Sequence, residues 1–397
     1  MVAELKQAEP ASAVDTGKRL RVLHIVENLN DQAVESWLLR IARAAKDEYS
    51  HVRWTFFCAL GKQGSLDSVA RGIGAEVIHS EYEVGDKVRF LLSLRKVMKE
   101  GNYDILHCHH DIMSAAYLAA SAGLPFRKRI VHVHNTSLSL PTPNRAKAEL
   151  VREPMRQMCL RMADQIVGIS AAALKSLVGD QRPDQTRHVV VHYAVDTERF
   201  SAASLDRAGF RAGLGLDSEA QILLFVGRLT EYKHPRFVLE ILEQLTKVNQ
   251  TAVAVFAGAG VEAPSLMELA KQRSLEPRVR LLGFRHDVAN LMVNSDVLIW
   301  PSLEDPKEGL GLGIVEAQAA GLPIVMSRSV PEEAIVVPEL VDVLPLAAGA
   351  EAWSDRVSEI LDRPHPSRER SRAKVESSSF SMAKGVKNFM GLYDNTV

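Results

Sequence analysis

At 397 residues the chain is too long for one ordinary core, and about 150 residues per domain gives two or three domains. Its 48 Lys and Arg balance 49 Asp and Glu, which excludes recruitment of nucleic acid by bulk charge. Cys58, Cys108 and Cys159 show no CxxC spacing, giving neither a disulfide framework nor a zinc site, and no apolar run approaches the ~18 residues of a membrane span.

Residues 1–17 lack the basic start and apolar core of a secretory signal and read as a flexible leader, so a cytoplasmic protein is expected. Residues 21–26 read as a strand, and residues 35–45 carry Leu38, Ile41, Ala42 and Ala45 at helical spacing. A strand at 54–60, a helix from about 65, a strand at 76–79, a helix at 88–100 and strands at 104–107 and 129–134 follow. This alternation predicts a parallel sheet with helices on both faces. A second series begins at 221–226, whose continuous apolar character suits a strand buried on both sides, and continues at 251–257, 279–282, 297–300 and 322–326. Residues 195–219, with Gly209, Gly213 and Gly215, hold the boundary, giving domains at 18–198 and 199–379. A final amphipathic helix places Met382, Val386, Phe389, Met390 and Tyr393 on one face.

Open parallel sheets bind ligands beyond the carboxyl ends of their strands, where helix N-termini offer free N–H groups. After the strand ending at Val226 comes a loop from Gly227 to His234, with Pro235 fit for the first helical turn. Arg228 and Lys233 both fall in that loop, where two cations can converge on a diphosphate. A second loop, Glu308-Gly309-Leu310-Gly311-Leu312-Gly313, leads into a helix stopped by Gly321. Its alternate glycines permit close backbone approach and leave N–H groups unclaimed. Glu308 and Glu316 suit a hydroxyl-rich ligand, since a carboxylate accepts two hydrogen bonds from a diol. Gly258-Ala-Gly260 lacks the third glycine of a dinucleotide fingerprint, as does the first strand's end, which disfavours a nicotinamide or flavin enzyme.

Together these loops resemble the retaining glycosyltransferases of family 4, and within them the branch that builds capsules and exopolysaccharides. The resemblance rests on Val226-Gly-Arg-Leu with Lys233, Gly258-x-Gly260, Leu282-Gly-Phe-Arg285 with Asp287, and Ser295-Asp-Val297. Pro301-Ser-Leu303, the Glu-x7-Glu pair and Ala317-Gln-Ala-Ala-Gly-Leu-Pro323 complete it. Tyr193 to Phe200 is similar to the family's interdomain segment, and residues 163–170 to its last first-domain strand. His132-Val-His-Asn-Thr136 and Val330-Pro-Glu-Glu333 carry the branch likeness.

The resemblance implies an α/β architecture of GT-B type: two Rossmann-like, doubly wound domains facing across a cleft, with the helix at 380–397 packing back on the first. It implies a nucleotide-sugar donor, a glycan, lipid-linked or small-molecule acceptor, and no cofactor or metal. Arg228 and Lys233 would hold the diphosphate, Glu308 the donor sugar and Glu316 the ribose. Gly227 and the backbone of Gly309, Leu310 and Gly311 would face the donor, with Arg285 beside the base. His109, second in His107-x-His109, would touch the transferred sugar, and His134 is a cleft histidine with a functional or a merely hydrogen-bonded role. A metal bound by His107, His109 and His110 is the less favoured reading, because carboxylate or cysteine partners are missing.

Three departures bear on function. The family's Gly-Gly-x-Glu loop is here Gln32-Ala33-Val34-Glu35, extra residues Glu304 to Lys307 precede Glu308, and His234 replaces the more usual glycine. The first departure keeps a nucleotide-sugar-binding scaffold as an alternative, and an epimerase of the same fold is another. A basic segment with Arg145, Lys147, Arg152, Arg156 and Arg161, in a helix started by Pro154, gives a further expectation of peripheral contact with the inner face of a membrane.

Overall fold

The computed structural model describes residues 19–137, 145–180, 184 and 186–394; the expected leader lies outside the described residues. Two sheets form, and every strand pair is parallel. The first contains β1 (Leu20–Val26), β2 (Val52–Cys58), β3 (Glu76–His79), β4 (Ile105–Cys108), β5 (Lys128–Val133), β6 (Gln165–Gly168) and β7 (His188–Val190), ordered β3-β2-β1-β4-β5-β6-β7. The second contains β8 (Gln221–Val226), β9 (Ala252–Ala257), β10 (Val279–Leu281), β11 (Val297–Trp300), β12 (Ile324–Met326) and β13 (Val341–Val343), ordered β10-β9-β8-β11-β12-β13. Each is a doubly wound sheet whose order reverses once, between β1 and β4 and between β8 and β11. Such reversals open a crevice beyond the strand ends.

Strand alternation sorts the core. Ile222 and Leu224 face the junction between domains, in a cluster that also holds Ile25, Phe389 and Tyr393. Leu223 and Phe225 face away, against Phe237 and Trp353. All four strand residues are buried, as their continuous apolar run requires. The last helix, Met382–Asp394, returns to the first sheet: Phe389 stands edge-on to Trp37, and both Phe389 and Tyr393 pack against Trp54. Val195 N–H donates to Phe380 O at 2.8 Å, fixing the chain where it crosses back.

Two expectations are corrected. Residues 163–170 do not hold the last first-domain strand, because β7 follows; its three half-buried residues carry too weak a pattern to read. Pro154 does not start a helix but lies inside Arg145–Met162. The carbonyl that loses its partner there belongs to Leu150, which is 77% exposed, so water can satisfy it.

Candidate functional site

The second sheet's crevice gathers side chains from β8, β11 and the loop entering the helix Leu312–Ala320. Lys233 Nζ donates to Glu308 Oε1 at 2.7 Å. The same oxygen accepts from Trp300 Nε1 at 2.7 Å and from the Ser302 hydroxyl. Lys233 Nζ also lies 4.6 Å from the centre of the Trp300 ring, a cation–π contact that fixes its second side. Glu308 is 5% exposed, yet its Oε2 has no hydrogen bond among the described residues. One carboxylate oxygen is therefore locked by three donors, and the other remains able to accept from a hydroxyl ligand.

The glycines around this seat have distinct causes. A Cβ on Gly258 would come within 1.8 Å of Gly227 O, and one on Gly260 within 2.1 Å of Leu229 O. These glycines let the loops that follow β8 and β9 pack backbone to backbone. Gly311 holds φ at 80° at the helix N-cap, which favours glycine. Gly309 faces the first domain: a Cβ there would lie 2.2 Å from His134 O. The N–H groups of Gly309, Leu310 and Gly311 carry no hydrogen bond among the described residues, while the Leu310 side chain is buried in the core.

The remaining expected residues are dispersed around the pair. Arg228 is exposed on the same loop, and its positive charge acts on the Tyr232 hydroxyl. Glu316 faces the domain junction, with its carboxylate 3.9 Å from Arg199 Nη1. Burial raises the Glu316 pKa against the pull of Arg40 and Arg199. Arg285, exposed after β10, is held by Asp287 through two bonds of 2.7 Å. Its neighbour His286 lies 3.1 Å from Asp31 of the first domain.

In the first domain His109 and His134 are buried at the ends of β4 and β5. Both nitrogens of each ring are engaged: His109 with His24 and His134 at 3.1 Å, and His134 also with the Tyr193 hydroxyl at 2.7 Å. A sugar hydroxyl would reach His109 only by entering one of these bonds. Two trios, His24/His107/His109 and His109/His132/His134, bring nitrogens within 4.8 Å of one another. Within them, His24 and His109 face each other edge to edge, 18° from coplanar, with ring nitrogens 3.1 Å apart. That separation fits an N–H···N hydrogen bond, and it is also close to that of two nitrogens each about 2 Å from one ion. A third trio pairs His79 with Asp67 at 2.8 Å beside Cys58, whose thiol is pushed up to about 12 by burial.

The domains meet on the residues of the branch motifs. The Thr136 hydroxyl donates to Lys307 O, and the Ser170 hydroxyl donates to Gly309 O. Glu333 accepts from Ala171 N–H at 2.8 Å and contacts His192 Nε2 at 2.9 Å. Trp300, Ser302, Arg40, Arg199, Tyr193 and Tyr393 escaped the sequence reading. Ser302, Tyr193 and Arg199 lie inside matched segments and Tyr393 on the final helix's apolar face, but none of them was given a role in the site from sequence. Glu35, buried in the helix Ala33–Ala44, has its pKa raised to about 7 by burial, with a smaller push from Glu27.

Comparison with known proteins accounts for both halves. Residues 21–199 match the model described as Glycosyltransferase Family 4, and residues 206–377 match that of Glycosyl transferases group 1. The chain is a glycosyltransferase with a family 4 domain followed by a group 1 domain. This glycosyltransferase is 25% identical over 378 residues to the glycosyltransferase EpsF of Bacillus subtilis (strain 168), covering 94% of this chain and 96% of EpsF. It is 28% identical over 308 residues to the D-inositol 3-phosphate glycosyltransferase of Mycolicibacterium smegmatis, covering 75% and 68% of the two chains. Among solved structures, Anabaena Alr3699/HepE in complex with UDP and glucose superposes with a TM-score of 0.72 at 16% identity, over 94% and 99% of the chains. WaaG, a glycosyltransferase involved in lipopolysaccharide biosynthesis, gives 0.72 at 15%, over 93% and 100%. The fold is thus GT-B. No helix among the described residues is long and apolar enough to cross a membrane. Of the basic helix's arginines, Arg156 is turned inward, donating to Leu177 O and Val178 O at 2.6 and 2.7 Å.

Proposed function

We propose that this glycosyltransferase moves a sugar from a nucleotide-diphosphate donor to a glycan, lipid-linked or small-molecule acceptor, with retention of configuration and without a metal. The observation that carries the reading is the Glu308 seat, whose free Oε2 is suited to the sugar hydroxyls while Lys233 stands beside it. Lys233 and Arg228, with the free N–H groups of residues 309–311, would stabilise the departing diphosphate by fixed charge, the task a metal performs elsewhere. Glu308, with Oε1 held by three donors and Oε2 assigned to the sugar hydroxyls, is read here as a binding group and not as a nucleophile. Acceptor attack from the leaving-group face is therefore preferred to a covalent intermediate.

A uridine donor is the first to test, since HepE holds UDP and glucose on the same fold. Polysaccharide assembly fits the branch motifs, which here bridge the domains through Thr136 and Glu333. Thermal unfolding in a panel of UDP-, GDP- and ADP-sugars, followed by donor turnover in EDTA, tests the proposal. Stabilisation by one donor and turnover under chelation are expected; turnover lost to EDTA and restored by a divalent ion would refute the metal-free claim. An epimerase reading has one support, a TM-score of 0.62 to a UDP-N-acetylglucosamine 2-epimerase chain of Listeria monocytogenes at 14% identity. Product analysis with donor alone separates it: an epimerase yields an epimeric sugar without an acceptor.

A further inference from the structure

Three elements of the first domain end together at one edge of its sheet. Cys58 closes β2, His79 closes the edge strand β3, and Asp67 opens the helix Asp67–Gly72. Parallel pairing sets Cys58 directly opposite His79, so their side chains share one face. The Cys58 sulfur, an Asp67 carboxylate oxygen and a His79 ring nitrogen all lie within 4.8 Å of one another. Cys58 is fully buried and Asp67 is 1% exposed, while the His79 side chain is 26% exposed. No metal-ligand spacing announces the group in sequence; residues 58, 67 and 79 meet through the connection between β2 and β3.

The trio leaves buried polar atoms unmet. His79 Nε2 and Asp67 Oδ2 approach to 2.8 Å, yet neither atom has a hydrogen-bond partner among the described residues. They are close without being aligned on each other, which suits two ligands of one ion better than a His–Asp hydrogen bond. Asp67 Oδ1 accepts from Gly64 N–H at 3.2 Å, an outer contact that orients the carboxylate and leaves Oδ2 toward the trio. Arg71 also approaches Oδ2, at 3.8 Å, but half of its side chain is in solvent. The buried histidines differ, because their close nitrogens already pair with one another, His24 with His109 and His109 with His134.

We propose that Cys58, Asp67 and His79 bind a zinc ion, as thiolate, carboxylate and imidazole. Zinc takes sulfur at about 2.3 Å and nitrogen or oxygen at about 2.0–2.2 Å, which sets tetrahedral ligand atoms about 3.3–3.6 Å apart. Small side-chain rotations bring the trio to those separations. A thiolate beside an imidazole selects zinc over magnesium or calcium, which take oxygen ligands. Burial and the Asp67 charge oppose the thiolate form of Cys58, and the Leu29 backbone favours it. The ion takes the place of the thiol proton, which leaves to water, and its charge answers both the thiolate and the carboxylate. The exposed flank of His79 gives an entry path and a fourth position for water, so the site is open and exchangeable.

The ion would clamp residues 59–66 to the loop after β1. Leu66 N–H donates to Leu29 O at 2.8 Å and Ser65 N–H to Asn30 Oδ1 at 3.2 Å, and a Cβ on Gly64 would lie 2.1 Å from Leu29 O. Asp31, next in that loop, meets His286 of the second domain. None of the three ligands belongs to the Glu308 seat, so the ion takes no part in the transfer step.

The test strips the full chain with EDTA, refills it with Zn2+ and removes loose metal by gel filtration. One zinc per chain is expected, with a rise in unfolding temperature of about 5–10 °C at a free concentration about 100 times Kd. Co2+ in place of zinc should give a thiolate-to-cobalt charge-transfer band, and Cys58→Ala should lose it. His79→Ala, altered at a partly exposed position, should fold and lose more zinc affinity than the roughly 10- to 100-fold cost of removing an outer partner. No zinc retained, or no shift on refilling, would overturn the proposal. So would a cobalt complex without the thiolate band, or a full complement of zinc in His79→Ala, either of which places the ion elsewhere. The unaltered chain and His79→Ala decide the matter even where Cys58→Ala does not fold. The transfer reading is judged apart, by the turnover of His79→Ala in EDTA: loss there, restored by a divalent ion, counts against metal-free transfer and leaves the zinc site standing.

Discussion

Replacing Lys233 by Met separates the two roles of the Lys233–Glu308 pair. Methionine retains an apolar stem against Trp300 and deletes the cation 2.7 Å from Glu308 Oε1. The lysine side chain is 16% exposed and that of Glu308 5%, so the pair is close to buried. Breaking a buried pair by removing one partner costs about 3–5 kcal/mol, and the partial exposure of Lys233 places this case near about 3 kcal/mol. Turnover should fall about 10²- to 10³-fold, the loss expected when one preorganised charge on a developing anion is removed. Adding Glu308→Gln removes the stranded carboxylate. The Lys233→Met/Glu308→Gln double variant is therefore expected to regain most of the lost stability and none of the lost turnover. Chemical denaturation and donor-consumption assays on the two single variants and the double variant complete the cycle. Wild-type turnover in Lys233→Met, or recovery of turnover with stability in the double variant, would refute the reasoning.

Other outcomes follow from single observations. Trp300→Phe removes one donor to Glu308 while keeping an aromatic face for Lys233; a stability loss of about 1–2 kcal/mol and a several-fold rise in donor KM are expected by denaturation and kinetics. Gly309→Ala sets a Cβ against His134 O, so the domains should part; a larger radius of gyration by X-ray scattering and a lower kcat at near-normal stability are expected. Glu35 binds its proton more tightly folded, at about 7, than at its ordinary value of 4.5, so the folded state holds the extra proton between those values. Stability from this group therefore falls as pH rises from about 4.5 through 7, by about 3 kcal/mol in all. Glu35→Gln should flatten that slope in denaturation curves and raise stability above pH 7.

Much of the architecture was legible because parallel strands buried on both faces leave continuous apolar runs, as in Ile222 to Phe225. Strand ends were read less well: residues 54–60 were expected where β2 is Val52–Cys58, since Ala59 and Leu60 extend the apolar run past the last ladder partner. β7 and β13 are three residues each, too short to show a period. Lys233 and Glu308 were each singled out from a loop where glycines and charges sit close in sequence, and the structure pairs them. What holds Glu308 was not legible, because Trp300 reads as the end of a core strand and its N–H shows only in three dimensions. The histidines illustrate the same limit. His107 and His109 were visible as a motif, but His24 and Tyr393 lie 369 positions apart and meet only through the return of the final helix. His234 is the opposite case: the glycine more usual there is explained by φ of 53° and ψ of 46°, a left-handed conformation that histidine adopts at some cost.

The central claim is metal-free transfer with retention at the Glu308 seat, and time-resolved proton NMR of donor breakdown in EDTA tests it most directly. With an α-linked nucleotide sugar, and water standing in when no acceptor is supplied, the first sugar released should carry the α-anomeric signal, before mutarotation mixes it, and the signal should vanish in Lys233→Met. Release of the β-anomer first would contradict the account, as would donor breakdown that proceeds equally well without Lys233.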